Sequence, residues 1–474
     1  MNKLKLITKK CITKLPSRFQ VLIYRFYYFL RARYLNWSRH SGRGIFSKKI
    51  TQNIIEVNIC VKTPLKISNK NRLQKLIDSL KYPPTHEYKL DGLLPLGVLK
   101  DRLDIINNIS PNFFSGQKFL DIGCNKGFFS LLASERFEQV VSIDNDSRFT
   151  ELCTLLKQEN MQVFKSSFRD FVTENQFDRI LIGNTYHYLF VDSGGWDWLY
   201  KLAAVTSYGG LIIIEGPVDM KCKDMQSIIP ESLRPLFNME TFKQIMDKFF
   251  TLEKIIPTVS YTPDRFIMLF SRKHDDLDNI FQLNKLPVDR ILKEDENSMI
   301  FLTSTDSSKK AVAKVMKSPP KDLRIRINIA SLSPVSNGAI GAIIHNGKFI
   351  GWIEPYDTSE IYKYKENQKE LFKLICDHEI FLSRNGYFDG DCATINFFEN
   401  SNKLFDKGFV YPIQVIDESI YKNFQGRGKG SYFIYLENSY DIISEDIKKN
   451  IYNALESKNS HCIEQTFREI KDSL

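Results

Sequence analysis

Residues 119–130 read FLDIGCNKGFFS, and this stretch decides the fold class. One apolar run, FLDI, leads into Gly123 and Gly127, and a second apolar run, FFSLLAS, follows at once. Glycines let the chain turn tightly and let its backbone approach a ligand closely. The N–H groups at the start of the following helix can then face that ligand. The stretch therefore predicts a strand, a ligand-binding turn and a helix, with Asp121 just inside the strand end.

The same alternation of apolar strands and helices continues from residue 118 to residue 272. Strands are predicted at VVSID, MQVFKSS, FDRILIGN and GGLIIIEG, and a helix at WDWLYKLAAVT. TLEKIIPTV and FIMLFSRK form a final pair of strands. This order predicts a parallel α/β sheet that ends in an antiparallel pair. Ligands of such sheets bind beyond the carboxyl ends of the strands.

Two details select the kind of ligand. Asp144 ends the second strand, where an acid can hydrogen-bond ribose hydroxyls, and this spacing fits both dinucleotide binders and methyltransferases. The turn lacks the Gly-x-Gly-x-x-Gly pattern of dinucleotide binders, and residues 177–190 and 209–217 follow in the order expected of methyltransferases. Residues 118–216 thus resemble the class I S-adenosylmethionine-dependent methyltransferases. The resemblance implies a Rossmann-like, seven-stranded sheet.

The resemblance also implies a cofactor site. Asn125 stands where the family has its middle glycine, Asp144 is expected to hold the ribose, and Ser167 with Phe168 to flank the adenine. Asn184 and Thr185 are expected to border the methionine part and the substrate. The complete predicted set is Asp121, Gly123, Cys124, Asn125, Gly127, Phe128, Asp144, Asn145, Ser167, Phe168, Asn184 and Thr185.

Methyl transfer needs a base only if the acceptor is a hydroxyl or a similar weak acid. His187, in NTYHYLF, is the nearest candidate to the expected reaction centre. The alternative for His187 is a half-buried side chain that packs beside Tyr186 and Tyr188. Glu215, at the end of the fifth strand, is a second candidate base.

The C-terminal third carries a degenerate kinase sequence pattern. Asp391 and Asn396 are five residues apart, Asp417 ends an apolar strand, and Lys314 lies on the predicted strand AVAKVMK. In kinases, residues at these positions accept a hydroxyl proton, bind Mg²⁺ and contact the phosphates of ATP. The pattern therefore predicts a kinase-like α+β domain with Asp391 catalytic, Asn396 and Asp417 as metal ligands, and Lys314 as a nucleotide ligand.

Several departures argue against phosphoryl transfer. Asp389 replaces the catalytic-loop histidine, the third motif lacks its glycine, and no helix with an evident glutamate partner follows Lys314. The alternative is therefore a non-catalytic domain that docks a partner such as a glycosyltransferase.

A methyltransferase followed by a kinase-like domain resembles the bacterial O-antigen chain-terminating methyltransferase–kinases. This resemblance implies a glycan or lipid-linked saccharide acceptor in surface polysaccharide synthesis, and a cytoplasmic enzyme at the inner face of the cell membrane. The competing hypothesis is an RNA methyltransferase acting on the tRNA wobble uridine.

Charge distribution bears on this choice. Residues 1–55 hold thirteen Lys and Arg and no acid, whereas the rest of the chain carries 53 basic and 56 acidic side chains. A basic, aromatic-rich segment, FQVLIYRFYYFL with flanking arginines, can lie on an anionic membrane. A nucleic-acid binder usually spreads its basic charge over the binding face, so the near-neutral body disfavours RNA.

The predicted domains are a basic amphipathic segment at 1–55, the methyltransferase domain at 56–273, a linker at 274–289 and the kinase-like domain at 290–474. Eight cysteines without a CxxC pair predict neither a zinc site nor a disulfide framework.

Overall fold

The computed structural model describes residues 70–80, 86–217, 225–258, 265–305, 309–357, 368–390, 410–415 and 444–474. The basic segment at 1–55 lies outside these residues, as do Asp391, Asn396 and Asp417.

Helices and strands alternate through the first part of the described chain. In chain order they are α1 (Lys70–Ser79), β1 (Tyr88–Lys89), β2 (Leu94–Pro95), α2 (Val98–Ile109), β3 (Gly116–Ile122), α3 (Phe128–Ser134), β4 (Phe137–Asp144), α4 (Ser147–Leu156), β5 (Met161–Lys165), β6 (Phe177–Gly183), α5 (Tyr186–Asp192), α6 (Trp198–Val205), β7 (Thr206–Pro217), α7 (Met225–Ile228), α8 (Met239–Phe249), β8 (Phe250–Pro257) and β9 (Arg265–Arg272).

Seven of these strands form one sheet in the order β5-β4-β3-β6-β7-β9-β8. Strands β3 to β7 pair in parallel, and β9 pairs antiparallel with both β7 and β8. The order reverses at β3, so the crevice of the sheet opens beside the turn that follows β3. The predicted α/β sheet with its terminal antiparallel pair is confirmed.

Apolar packing covers both faces of this sheet. One face carries Leu120, Ile122 and Ile212, which contact α5, α6 and α8. The other face carries Phe119 and Ile213 and packs against α2 and α3. Burial on both faces explains why the strands read as unbroken apolar runs.

A second set of elements follows. In chain order they are β10 (Ile280–Gln282), β11 (Arg290–Glu294), β12 (Ser298–Ser304), β13 (Lys310–Met316), α9 (Leu323–Ser331), β14 (Gly341–His345), β15 (Lys348–Pro355), α10 (Gln368–Arg384), β16 (Tyr387–Asp389), β17 (Val410–Pro412), α11 (Glu445–Glu456) and α12 (Ser460–Ser473).

Six of these strands form a second sheet in the order β10-β14-β15-β13-β12-β11. Along β13 the buried residues alternate with partly exposed ones, as period-two packing requires. Strand β10 lies inside the segment predicted as a linker and pairs in parallel with β14. The second sheet therefore begins at Ile280, and the predicted boundary at 290 remains a prediction.

The two parts of the chain share one hydrophobic core. Ile325 and Ile329 of α9 and Phe381 and Leu382 of α10 belong to the same buried cluster as Trp198 of α6. A separate cluster joins α10, α11 and α12. Helices α9 and α10 of the C-terminal part thus pack against α6, which covers one face of the first sheet.

Candidate active site

The turn at 123–127 is anchored to the neighbouring strand by its backbone. The N–H groups of Gly123 and Cys124 both donate to the carbonyl of Ile143, at 2.9 and 3.1 Å. Gly123 has a φ of 75°, and a Cβ atom there would lie 2.3 Å from Thr185 Oγ1. Only glycine therefore fits at this position without displacing Thr185.

Asp144 hydrogen-bonds both the turn at 123–127 and the backbone that follows β4. Its Oδ2 accepts the N–H of Asn125 at 2.9 Å, and its Oδ1 accepts the N–H of Asp146 at 2.9 Å. The first bond holds Asn125 at a φ of 50°. Burial raises the pKa of Asp144, and the backbone hydrogen bonds oppose that rise. Each carboxylate oxygen has a further lone pair, so two ribose hydroxyls can be accepted.

Asp121 lies below the turn and is 3% exposed. Its Oδ2 accepts the hydroxyl of Ser130, on α3, at 2.6 Å. Burial raises the pKa of Asp121 to about 7, although the hydrogen bond from Ser130 acts in the opposite direction. A buried carboxylate of this kind is stabilised in its charged form by a nearby ammonium group.

The other predicted cofactor residues differ in exposure. Gly127 precedes α3, and Phe128 is buried against the ring of Tyr88, with ring centroids 5.4 Å apart. The Sγ of Cys124 lies 3.8 Å from that of Cys153, and Asn145 is exposed. Their contacts with a cofactor stay predictions.

The predicted adenine-flanking pair occupies the turn after β5. Ser167 donates its hydroxyl to Asp170 at 3.0 Å. Phe168 is 1% exposed and lies in the core, with the ammonium of Lys201 5.6 Å from its ring centre. Contact between Phe168 and an adenine stays a prediction, and the burial of this ring points to a packing role.

Asn184 and Thr185 follow β6. Asn184 has a φ of 58°, its N–H donates to the carbonyl of Glu215 at 2.9 Å, and its side-chain oxygen accepts from Arg265. Thr185 donates its hydroxyl to the carbonyl of Gly183 at 3.1 Å. Both residues are therefore held at the carboxyl edge of the sheet, beside the turn at 123–127.

His187 is the second residue of α5 and is 2% exposed. Burial, followed by the charge of Arg265, lowers the pKa of His187 to about 3. The imidazole is therefore neutral at pH 7. Its Nδ1 is buried and has no hydrogen-bond partner among the described residues.

Glu215, the other candidate base, forms a buried ion pair. Its Oε2 lies 2.5 Å from Nε of Arg102, and both side chains are at most 3% exposed. Arg102 also contacts Nε2 of His86 at 3.1 Å. Glu215 Oε1 is buried and has no hydrogen-bond partner among the described residues. That oxygen can accept a hydrogen bond from a bound molecule.

Three residues of this edge were not predicted from the sequence. Tyr88 donates its hydroxyl to the carbonyl of Lys126 at 2.6 Å, so the short antiparallel pair of β1 and β2 is linked to the turn at 123–127. Arg102 and Arg265 supply two buried cations. The signal that the sequence offered for Arg102 was an arginine next to the apolar residues of 103–109, since buried arginines require partners.

The kinase-like pattern is described only in part. Lys314 lies on β13 as predicted, with its ammonium 5.4 Å from the centre of the Trp352 ring. Helix α9, the next helix along the chain, contains no glutamate. Asp389 is fully buried and lies 3.2 Å from Nε2 of His378. The roles of Lys314, Asp391, Asn396 and Asp417 stay predictions.

The described residues contain no cluster of three or more His, Cys, Asp or Glu side chains that could hold a metal ion. None of their helices is both long enough and apolar enough to span a bilayer.

The residues at the edge of the first sheet fit S-adenosylmethionine. The glycines of the turn at 123–127 would let the backbone approach a ligand. Asp144 retains lone pairs for a ribose diol, and Asp121 is a buried acid suited to an ammonium. Among the described residues of this edge, none forms an ion pair with the carboxylate oxygens of Asp121 or Asp144 that would compete with these interactions.

Comparison with known proteins agrees with this chemistry. Residues 120–214 match the family model described as "Methyltransferase domain". A probable cobalt-precorrin-6B C(15)-methyltransferase (decarboxylating) of Methanococcus maripaludis strain C7 is 39% identical over 70 residues. That match covers 14% of this chain and 39% of the relative, so the chain spans well under half of the relative's length.

Two solved structures are among those to which the chain is similar. The N-methyltransferase NodS from Bradyrhizobium japonicum WM9 is 17% identical, with a TM-score of 0.32, over 37% of this chain and 96% of NodS. The bifunctional kinase-methyltransferase WbdD is 16% identical, with a TM-score of 0.27, over 79% of this chain and 88% of WbdD. Residues 120–214 form a methyltransferase domain, and S-adenosylmethionine is its cofactor.

Proposed function

We propose that this protein transfers a methyl group from S-adenosylmethionine to a glycan or glycolipid-linked acceptor in surface polysaccharide synthesis. The observation that supports the methyl-transfer part of this proposal is the position of Asp144. Its carboxylate fixes the turn at 123–127 and keeps free lone pairs at the ligand-binding edge of the sheet.

The chemistry asks little of the protein beyond positioning. The sulfonium supplies an already activated methyl group, so the protein must hold donor and acceptor in line and exclude water. Asp144 would bind the ribose of the cofactor, and Asp121 the ammonium of its methionine part. Asn184, held by Arg265, would border the reacting centre.

Glu215 is the better candidate for accepting a proton from a hydroxyl acceptor. A general base works best when its pKa lies near the working pH, and the pKa of His187, about 3, is far below it. Glu215 keeps one buried oxygen without a partner among the described residues, and Arg102 holds the carboxylate in place. His187 would then orient the acceptor through a hydrogen bond to its neutral ring.

The glycan acceptor rests on the order of the two patterns along the chain. A methyltransferase pattern followed by a kinase-like one resembles the O-antigen chain-terminating enzymes. The position of Lys314 on a strand of a separate sheet supports a kinase-like second part. The absence of glutamate from α9 supports the non-catalytic version of that part.

Methyl transfer can be measured with S-adenosylmethionine labelled in its methyl group. We expect label in a lipid-linked saccharide fraction and none in tRNA transcripts that lack the wobble modification. Glu215→Gln should lower kcat at least tenfold with little change in the KM for S-adenosylmethionine, because the base acts on the acceptor. Label in tRNA alone would replace the glycan proposal by the RNA hypothesis.

The basic segment at 1–55 would hold the enzyme at an anionic membrane surface. Each Lys or Arg near such a surface contributes about 1 kcal/mol of attraction. The intact protein should float with vesicles that contain anionic lipid and not with neutral vesicles. Deleting residues 1–40 should abolish flotation and leave cofactor binding intact. Flotation that survives the deletion would contradict this role.

A further inference from the structure

Residues 166–171 form the turn that follows β5, and this turn borders the proposed cofactor site. The N–H of Ser166 donates to the carbonyl of Asp144 at 3.0 Å, so the turn lies beside the predicted ribose ligand. Within the turn, Ser167 donates its hydroxyl to Asp170, and the N–H of Phe171 donates to the carbonyl of Ser167. Any role of this turn in cofactor binding rests on the proposed cofactor site.

A serine from the C-terminal helix contacts this turn. Ser460, the first residue of α12, donates its hydroxyl to Oδ1 of Asp170 at 2.5 Å. Ser460 is 2% exposed. The two carboxylate oxygens of Asp170 are thus shared between Ser167, within the turn, and Ser460, which lies 290 residues away.

Arg169 makes the strongest link between the turn and the C-terminal part. Its guanidinium donates to the carbonyl of Ser383 at 3.0 Å, to the carbonyl of Asp192 at 2.6 Å and to Oε2 of Glu464 at 2.9 Å. Glu464 also accepts from Arg384 at 3.0 Å. Burial raises the pKa of Glu464, but Arg384 and Arg169 hold it below its ordinary value.

The backbone of the turn is held as well. Lys201 donates to the carbonyls of Arg169 and Asn385, at 2.6 and 3.0 Å. Gly386 has a φ of 81°, and a Cβ there would lie 2.0 Å from the carbonyl oxygen of Arg169. The main chain of residues 385–386 therefore lies directly on the main chain of the turn.

We propose that the C-terminal part completes the cofactor site, with Ser460 and Glu464 as positioning residues for the turn at 166–171, and that Lys201 of α6 links that turn to the backbone at 385. A turn that must be ordered during binding weakens affinity, because the lost conformational entropy is subtracted from the binding free energy. These buried bonds order the turn beforehand. A buried charged network adds little net stability over apolar packing, so its consequence is a fixed geometry beside Asp144.

The mildest test is Ser460→Ala in the full-length protein, with Ser473→Ala as the matched control on the exposed end of the same helix. Calorimetry should show S-adenosylhomocysteine binding three- to tenfold more weakly to Ser460→Ala and unchanged to Ser473→Ala. Adenosine should lose affinity by the same factor, because the turn borders only that half of the ligand. In the transfer assay, KM for S-adenosylmethionine should rise while kcat stays constant.

Glu464→Gln is the second variant and should weaken binding more strongly, because Arg169 and Arg384 then lose a charged partner. Unchanged affinity in Ser460→Ala and Glu464→Gln, with or without a lower melting temperature, would overturn the proposal. If the parent protein itself binds no S-adenosylhomocysteine, the proposed cofactor site fails, and this inference fails with it.

Discussion

Two turns border the same edge of the first sheet, but they are held in place differently. The turn at 123–127 is fixed by close neighbours in the chain: Asn125 bonds to Asp144, 19 residues away. The turn at 166–171 is fixed by Ser383, Ser460 and Glu464, which lie 214 to 295 residues away. The first turn can therefore be predicted from a short motif, whereas the second depends on the packing of the whole chain.

The strongest test of the first turn is Gly123→Ala. The new Cβ would meet Thr185 Oγ1 at 2.3 Å, and the positive φ would disfavour any side chain. We expect a loss of affinity for S-adenosylhomocysteine of at least 100-fold, measured by calorimetry.

A second variant separates the two causes. Adding Thr185→Gly to Gly123→Ala removes the clash and leaves the backbone strain. Affinity should then recover in part. Full affinity in Gly123→Ala alone would show that this turn does not approach the cofactor.

Asp144→Asn should have the next largest effect. The amide loses the charge and can accept through one oxygen only, so both the ribose bonds and the bond to Asn125 are weakened. We expect a loss of about 1–3 kcal/mol in binding free energy, as for charge-assisted hydrogen bonds. Calorimetry measures it directly.

Asp146→Asn is the matched control, two residues further along. Asp146 caps α4 and its carboxylate pairs with Arg148 on the surface, and asparagine caps helices equally well. Its affinity for S-adenosylhomocysteine should equal that of the parent. Equal losses in both variants would point to damage to the whole edge instead of a lost ribose contact.

Much of the fold could be predicted because its signals are local. FLDIGCNKGFFS specifies a strand, a turn and Asp121 within a dozen residues, and VVSID specifies a strand that ends in Asp144. The antiparallel pair β8 and β9 could also be predicted, since TLEKIIPTV and FIMLFSRK are consecutive apolar runs. The strand β10 was missed because three residues of a polar segment carry no periodic signal.

The rest of the site could not be predicted for a physical reason. The partners of Arg169 come from a carbonyl on α10, a carbonyl of α5 and a side chain on α12. Two of these three are backbone atoms, whose availability depends on tertiary packing and not on residue type. Similarly, Phe168 is buried in a cluster that includes Leu382 and Tyr387, which no local pattern around residue 168 indicates.

The pH dependence of binding gives a smaller effect. Burial raises the pKa of Asp121 to about 7, so the acid becomes protonated as the pH falls below 7. An ammonium partner favours the ionised form, so affinity should fall with decreasing pH, by at most tenfold per unit between pH 7.5 and 5.5. Asp121→Asn should give a weaker and flatter profile. An affinity in the parent that does not change with pH would show that Asp121 does not bind the ammonium.

The smallest effect is expected in the second sheet. A non-catalytic domain would bind ATP weakly, and a ligand at or below its Kd adds under about 0.5 kcal/mol of stability. ATP with Mg²⁺ at 1 mM should therefore raise the melting temperature by no more than about 1–2 °C. A large Mg²⁺-dependent rise that is lost in Lys314→Met and in Asp417→Ala would instead make the protein bifunctional.

The most direct test of the central claim is a crystal structure of the protein with S-adenosylhomocysteine. We predict both ribose hydroxyls within about 2.5–2.9 Å of the Asp144 carboxylate, as for charge-assisted bonds. The amino group should lie beside Asp121, and the adenine beside the turn at 166–171. A ligand bound elsewhere, with Asp144 bonded only to Asn125 and Asp146, would contradict the account.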